Sequence, residues 1–268
     1  ISKNFFSIEP ISQRSYIESL LKKCIENKIK LIIPTIDTEL KVLSENKEYF
    51  SRNEINILIS ETEFIDLCSD KISTSAFFNS IEANTPKLFE KSNLTYPCFM
   101  KPISGSSSIG TKKLFSKDDL SKSDYDNNLN IFQELIEDDY KEYSCDLYYN
   151  KEGILCSCIV RERISTRSGE ISKGITRKNN IYEYVIEKFK KIKIARGPIT
   201  LQLFANKIDE DIKCIEINPR FGGGYPMSHQ AGGDFPALII KEYFEGKELE
   251  FTEDWQKDLL MLRYDSTF

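Results

Sequence analysis

The sequence predicts an α/β protein, and three observations carry that expectation. The first sixty residues alternate helical and strand-like periodicity. From Tyr96 the texture changes to strand-like stretches joined by turns. Late in the chain, Cys214–Gly224 sets polar side chains at every second position of an apolar strand and ends in three glycines.

The elements follow in order. Ile11, Ile17, Leu20, Leu21, Cys24 and Ile25 recur at helical spacing over 11–28. Lys30–Pro34 reads as a short apolar strand. Asp37 is the expected N-cap of a helix that runs to about Phe50. Asn56–Ser60 is the next strand, so the opening segment is a parallel α/β unit. That unit is expected to be incomplete, since the segment before residue 11 holds at most one strand. Residues 70–82 predict a helix, 98–102 and 112–115 strands, 117–122 a helix, and 131–136 a strand. Residues 143–149 and 154–163 predict an antiparallel pair around Asn150–Gly153. A helix at 180–191 and a strand at 199–204 precede the polar strand.

Composition narrows the function. A chain of 268 residues, 40% hydrophobic, can bury a sizeable core as one large domain or two small ones. A net charge of −5 speaks against a nucleic-acid partner. No apolar run approaches the roughly 18 residues a membrane span needs. No secretory signal is visible, although the chain begins at Ile1, so a targeting segment can precede it. A cytoplasmic location is expected. Seven cysteines and a single histidine, His229, suit reduced, buried thiols better than a zinc site. One histidine also weakens any His-based acid–base mechanism.

The polar strand carries the most chemistry. Residues i, i+2 and i+4 of a strand share a face, which aligns Glu216, Asn218 and Arg220 and turns Ile215 and Ile217 toward a core. A carboxylate beside an amide offers hard oxygen ligands for Mg²⁺. An adjacent arginine suits phosphate. The same pattern also describes a sheet with a polar outer face. Lys101-Pro102 and the loop Ser104–Gly110 read as a phosphate cradle, where small residues let backbone N–H groups converge on an anion. A plain hairpin turn has the same composition. Gln133–Ile136 followed by Glu142-Tyr143 sets acidic residues around a turn, fit for a ribose hydroxyl or for solvent. Arg161, Arg163 and Arg167 cluster before Gly169, as an anion clamp or as charged protection of a sheet edge.

Taken together, these segments resemble the ATP-grasp superfamily. The carbamoyl-phosphate-synthase-like, carboxylate–amine-ligase branch is the nearest in pattern. The resemblance covers about residues 55–240. It implies an ATP-grasp fold, two α+β subdomains gripping ATP, preceded by a truncated Rossmann-like domain. The implied divisions are 1–66 for the partial N-terminal domain and 67–268 for the grasp, with a lid at about 96–136. It further implies that Lys71 and Lys101 contact ATP phosphates and that the lid is formed by Gly105, Ser106, Ser107, Ser108 and Gly110. Glu134, Leu135 and Ile136 would hold adenine, and Glu142 the ribose. Gln202, Glu216 and Asn218 would organise Mg²⁺, or Mn²⁺ in its place. Arg220 would stabilise the transferring phosphoryl group, with Lys173 as a further phosphate-side cation. Many relatives have an acidic residue where Gln202 stands, so one metal would be held weakly.

The implied chemistry is ATP-dependent phosphorylation of a carboxylate and attack on the acyl phosphate by an amine, releasing ADP. Positioning and charge neutralisation do most of that work. Arg161, Arg163, Arg167, Tyr225, Ser228 and His229 are candidates for the acceptor side. The expected partners are a small-molecule carboxylate and an amine, with a homodimer as the assembly. The alternatives are a carboxyphosphate or carbamate kinase, and an ATP-binding module without turnover.

Overall fold

The structure, a computed structural model, describes residues 5–105, 109–167, 169–208 and 211–264. Its strands are β1 (Leu31–Ile32), β2 (Asn56–Ile57), β3 (Leu88–Phe89), β4 (Cys98–Pro102), β5 (Lys112–Leu114) and β6 (Asn130–Glu134). They continue with β7 (Tyr140–Tyr149), β8 (Leu155–Arg167), β9 (Glu170–Thr176), β10 (Gly197–Asn206), β11 (Ile212–Asn218) and β12 (Leu260–Leu262). The helices are α1 (Tyr16–Glu26), α2 (Asp37–Glu45), α3 (Lys47–Ser51), α4 (Thr62–Ser69), α5 (Lys71–Ser80), α6 (Lys122–Asp126), α7 (Asn180–Phe189), α8 (Tyr225–Gln230) and α9 (Phe235–Tyr243).

Three sheets result. β1 and β2 pair in parallel, as the opening α/β alternation predicts. The order β3-β6-β4-β5 makes a four-stranded antiparallel sheet. The order β11-β10-β7-β8-β9-β12 makes a six-stranded antiparallel sheet. The largest core lies on one face of that sheet, where Leu147, Tyr149, Cys158, Leu201, Leu203 and Cys214 meet Val185 and Phe189 of α7. The opposite face packs Tyr148 and Ile159 against Phe235 and Gly233 at one part and elsewhere carries the polar residues that form one wall of the site. A separate core joins α1, α2 and β2 through Leu21, Leu43, Phe50 and Ile57. All seven cysteines are free, and six are buried.

Several expected elements shift. The helix from Asp37 to Phe50 breaks at Asn46 into α2 and α3. The N-cap is Ile36, and Asp37 is the first helical residue, because its carboxylate is drawn to Arg220 instead of its own backbone. Lys30–Pro34 contributes only two paired residues. The helix at 117–122 is replaced by a 3₁₀ turn, Lys117–Asp119, under a Ser116/Asp119 capping box, followed by α6 capped by Ser121. α5 begins as expected, with Asp70 accepting a hydrogen bond from Ser73 N at 2.7 Å.

The polar strand carries a correction with a mechanical cause. Gln202 pairs with Glu216, but the next residue, Leu203, pairs with Cys214. Ile215 is therefore the extra residue of a β-bulge, and a bulge re-aims the side chains around it. Cys214 and Ile217 enter the core, while Ile215 turns into the cleft beside Glu216.

Candidate active site

Register builds the polar face. Thr200 pairs with Asn218 and with Asp146, and Gln202 with Glu216 and Ser144. Ser144 in turn pairs with Arg161. Two-residue alternation thus brings Glu216, Asn218, Gln202, Glu142, Asp146, Arg161 and Arg163 to one face across four strands. The four-stranded sheet adds Lys101 from β4, and the start of α5 adds Lys71. Between them lies a cleft of about 620 Å³, in the size range of nucleotide-sized ligands.

One end of the cleft is cationic. Lys101 is 7% exposed, and burial pushes its ammonium down to about 8, with Lys71 pushing the same way and Glu216 opposing. Burial also lowers the Lys71 ammonium, against the pull of Glu216 and Asp70. Lys71 Nζ donates to the Gly105 carbonyl at 2.9 Å, which ties α5 to the Gly/Ser loop. Two ammonium groups crowded against one carboxylate are a site for a polyanion.

Opposite them stand the oxygen donors. Asn218 Nδ2 donates to Glu216 Oε1 at 2.8 Å, which leaves the second oxygen of Glu216 and the amide oxygen of Asn218 for a cation. Among the described residues no group of three or more His, Cys, Asp or Glu side chains converges as a metal site. One carboxylate and two amides match a Mg²⁺ whose remaining ligands are phosphate oxygens and water. The residues therefore fit Mg²⁺ carried in with a nucleotide, and not a metal caged by protein alone.

The cleft is also lined by Phe99, Leu135, Ile136, Phe204 and Ile215, apolar side chains suited to a flat base. Glu142 lines the same cleft, held to Arg163 Nη1 at 3.0 Å, and burial raises its carboxyl despite that partner.

Other expected site residues fall elsewhere. Ser106, Ser107 and Ser108 lie outside the described residues. Gly105 lines the cleft, whereas Gly110 packs behind it on Pro102, between the cleft residues Ile109 and Thr111. The Glu134 side chain accepts from Lys87 N at 3.1 Å and pairs with Lys213 at 3.5 Å, so of the three expected adenine contacts Leu135 and Ile136 line the cleft and Glu134 does not. Lys173 is exposed on β9, in register with Leu262, and does not line the cleft. Arg167 is exposed near the end of the β8–β9 hairpin and lines no cavity.

The expected carboxylate clamp dissolves on the same grounds. Arg161 is 2% exposed and grips Asp146 with two bonds, Nε to Oδ2 at 2.8 Å and Nη2 to Oδ1 at 3.1 Å. Thr200 Oγ1 and Ser228 Oγ donate to the same carboxylate at 3.1 and 2.5 Å. Arg161 and Ser228 are thus parts of a buried, satisfied network rather than free ligands. His229 lies outside the cavities, with Nδ1 at 3.6 Å from Asp234. Tyr225 lines a neighbouring cavity, but its hydroxyl is engaged, donating to Gly233 O at 2.8 Å and accepting from Phe235 N at 2.9 Å.

Arg220 holds the junction. Its Nε and Nη2 donate to the two oxygens of Asp37 at 2.7 and 2.6 Å, and Nη1 donates to Phe221 O at 3.0 Å. Sequence reasoning read Asp37 as a helix N-cap and could not pair it with a residue 183 positions away. It also passed over Asp146 and Glu170. Asp146 was marked by its alternation with Glu142 and Ser144, and Glu170 only by its place after a hairpin glycine.

The model of the ATP-grasp domain matches residues 68–224, more than half of the chain. The chain belongs to the ATP-grasp family. A second model, the PylC-like N-terminal domain, matches residues 1–58. No curated protein sequence matches. Among solved structures, the ATP-grasp chain is similar to Campylobacter jejuni biotin carboxylase in a β-γ-ATP complex, with TM-score 0.75, 17% identity, and 93% of this chain against 62% of that one covered. It is also similar to the biotin carboxylase domain of Hydrogenobacter thermophilus 2-oxoglutarate carboxylase with MgADP and bicarbonate, at TM-score 0.72 and 15% identity, covering 95% and 62%. Staphylococcus aureus N5-carboxyaminoimidazole synthetase with ADP follows at TM-score 0.66 and 16% identity, covering 83% and 61%. At these identities the likeness shows the ATP-grasp fold, and the chain spans about three fifths of the length of each neighbour. No described helix is long and apolar enough to cross a membrane.

Proposed function

We propose that this chain binds ATP with Mg²⁺ in the cleft between its two larger sheets and acts as an ADP-forming carboxylate–amine ligase. The single observation behind the reading is the convergence of Lys71, Lys101, Gln202, Glu216, Asn218 and Arg220 on one cleft from four separate parts of the chain. The division into an N-terminal unit at 1–66, a grasp at 67–268 and a lid at about 96–136 belongs to the same reading, as does a soluble, cytoplasmic setting.

In this reading the apolar side chains of the cleft take adenine, and backbone groups at Leu135 and Ile136 read its edge. Glu142 accepts from a ribose hydroxyl. Lys71 and Lys101 pair with the phosphates, which restores the protonated state that burial disfavours. Mg²⁺, when bound through Glu216 and Asn218, supplies neutralisation of phosphate charge. Arg220 keeps guanidinium donors for the transferring phosphoryl group while Asp37 fixes its plane. The carboxylate attacks the γ-phosphorus, ADP leaves, and the acyl phosphate then meets a nucleophile.

Calorimetric titration with a non-hydrolysable ATP analogue, with and without Mg²⁺, on wild type and Glu216→Ala tests the reading. Mg²⁺-dependent binding that weakens in the variant is the expected result. No binding to a folded wild-type protein would sink it. A carbamate or carboxyphosphate kinase would bind ATP identically but release a mixed anhydride rather than an amide. A module without turnover would bind ATP and release no ADP with any acid.

A further inference from the structure

We propose that Glu170 receives the acceptor, a protonated primary amine with an apolar body, and takes its proton as the C–N bond forms. The inference rests on the ligase reading and extends it to the acceptor class.

Two further cavities adjoin the main cleft. A chamber of about 60 Å³ lies against Gly222–Gly224, and an open cavity of about 540 Å³ lies between Thr35–Asp37 and Phe221–Pro226. Among the described residues, only Glu170 and Arg220 line the cleft and both of these spaces. They therefore stand where a group activated in the cleft meets a molecule entering through the open mouth.

Charge selects between the two carboxylates of the mouth. Asp37 is committed to Arg220 through both oxygens. Among the described residues, Glu170 accepts no side-chain or backbone hydrogen bond and meets only Arg263, at 4.0 Å. The Asp37–Arg220 pair is neutral as a unit, so Glu170, faced by Arg263 only at the 4.0 Å limit of an ion pair, is the carboxylate the mouth leaves open. That charge favours a cation. Beside Thr35, Gly222 and Gly223, the mouth's remaining walls are the apolar bodies of Ile36, Phe221, Tyr225 and Pro226, and the Tyr225 hydroxyl is already engaged elsewhere.

The carboxylate is half-exposed and reaches over the glycine loop. Glu170 lies directly over Gly223, so close that a Cβ on Gly223 would overlap its Oε2. The glycine at this position leaves room for a carboxylate reaching in from another strand.

The step balances as follows. The entering ammonium gives one proton to Glu170, and the freed lone pair attacks the acyl carbon beside Arg220. The C–N bond forms, and the bond from carbon to the phosphate oxygen breaks. The second nitrogen proton leaves with the phosphate as HPO₄²⁻, and the Glu170 proton passes to solvent through the open mouth. A positioned carboxylate base contributes about 100-fold or more to such a step.

Hydroxylamine separates this role from activation of the acid, since it is largely unprotonated at neutral pH and needs no base. The full chain is mixed with ATP, Mg²⁺, a panel of carboxylic acids and hydroxylamine, and hydroxamate is measured. With a responding acid, hydroxylamine is replaced by benzylamine or methylamine and the amide is measured by mass. Wild type is expected to make amide, with benzylamine ahead of methylamine. Glu170→Gln is expected to lower the ratio of amide to hydroxamate by about 100-fold. Gly223→Ala, which displaces the carboxylate without deleting it, should lower the same ratio. ATP-analogue binding by both variants reports that they are folded. Equal loss of both products in Glu170→Gln would overturn the assignment. Hydroxamate without amide from any amine would overturn the acceptor class. Absence of hydroxamate with every acid would break the ligase reading itself, and this proposal with it.

Discussion

Asp146 with Arg161, and Glu216 with Lys101, are two charged groups beside the same polar sheet face, held in opposite ways. The first is closed: a bidentate ion pair with Thr200 and Ser228 donating to the same carboxylate, sealed from water. The second is open: two lysines with depressed ammonium groups and one carboxylate held by a single amide. A buried charge is tolerated when its partners are complete, and it is costly when they are not. The closed group is structure. The open group is held ready for a ligand that brings phosphate and metal.

The largest expected effect breaks the closed group. Asp146→Ala leaves the Arg161 guanidinium buried without its partner, and should cost about 3–5 kcal/mol in urea denaturation. The double variant Asp146→Ala with Arg161→Met should recover much of that loss. If Asp146→Ala cost under about 1 kcal/mol and instead abolished nucleotide binding, the division between the groups would be wrong.

Opening the second group further should act on binding rather than on folding. Glu216→Ala is expected to weaken Mg²⁺-dependent binding of the ATP analogue by about 10–100-fold, with the denaturation midpoint nearly unmoved. A large drop in stability would place Glu216 with the structural charges.

Lys101 sharpens the contrast through pH. Its ammonium sits near 8 in the fold against 10.5 for an ordinary lysine, so the folded protein binds fewer protons than the unfolded chain in that window. Stability of the nucleotide-free protein should therefore rise from about pH 8 to pH 10.5, and analogue affinity should fall as the amine loses its charge. Lys101→Met should stabilise the nucleotide-free protein at pH 7 by on the order of 2 kcal/mol while weakening the analogue. Chemical denaturation and titration of the same samples across pH check both signs. A Lys101→Met protein less stable than wild type would refute the idea that this charge is held at a cost.

The smallest effect concerns the junction. Asp37→Asn removes one side of a partly exposed pair and should shift stability by less than about 1 kcal/mol. A greater loss would move Arg220 from the open group to the closed one.

Much of the architecture was legible in the sequence because it is local. Two-residue alternation marked β11, strand-like runs around turn residues marked β7, β8 and β10, and an early α/β alternation marked the β1–β2 pair. The order of motifs along the chain pointed to the ATP-grasp family. Alternation also aligned Glu216 with Asn218. It failed at Ile215, because a bulge is set by the partner strand, and nothing in Cys214–Asn218 alone announces it.

What the sequence by itself determined was which side chains share a face: Glu142, Ser144 and Asp146 on one strand, Arg161 and Arg163 on another. What only the tertiary structure decided was which of those charges find each other. Arg161 and Arg163 of β8 and Arg220, just past the end of β11, are the same residue type. The fold gives the first to Asp146, the second to Glu142 and the third to Asp37. The physical reason is that Coulomb and hydrogen-bond energies depend on distance and burial, and both are set by strand register and by contacts up to 183 residues apart.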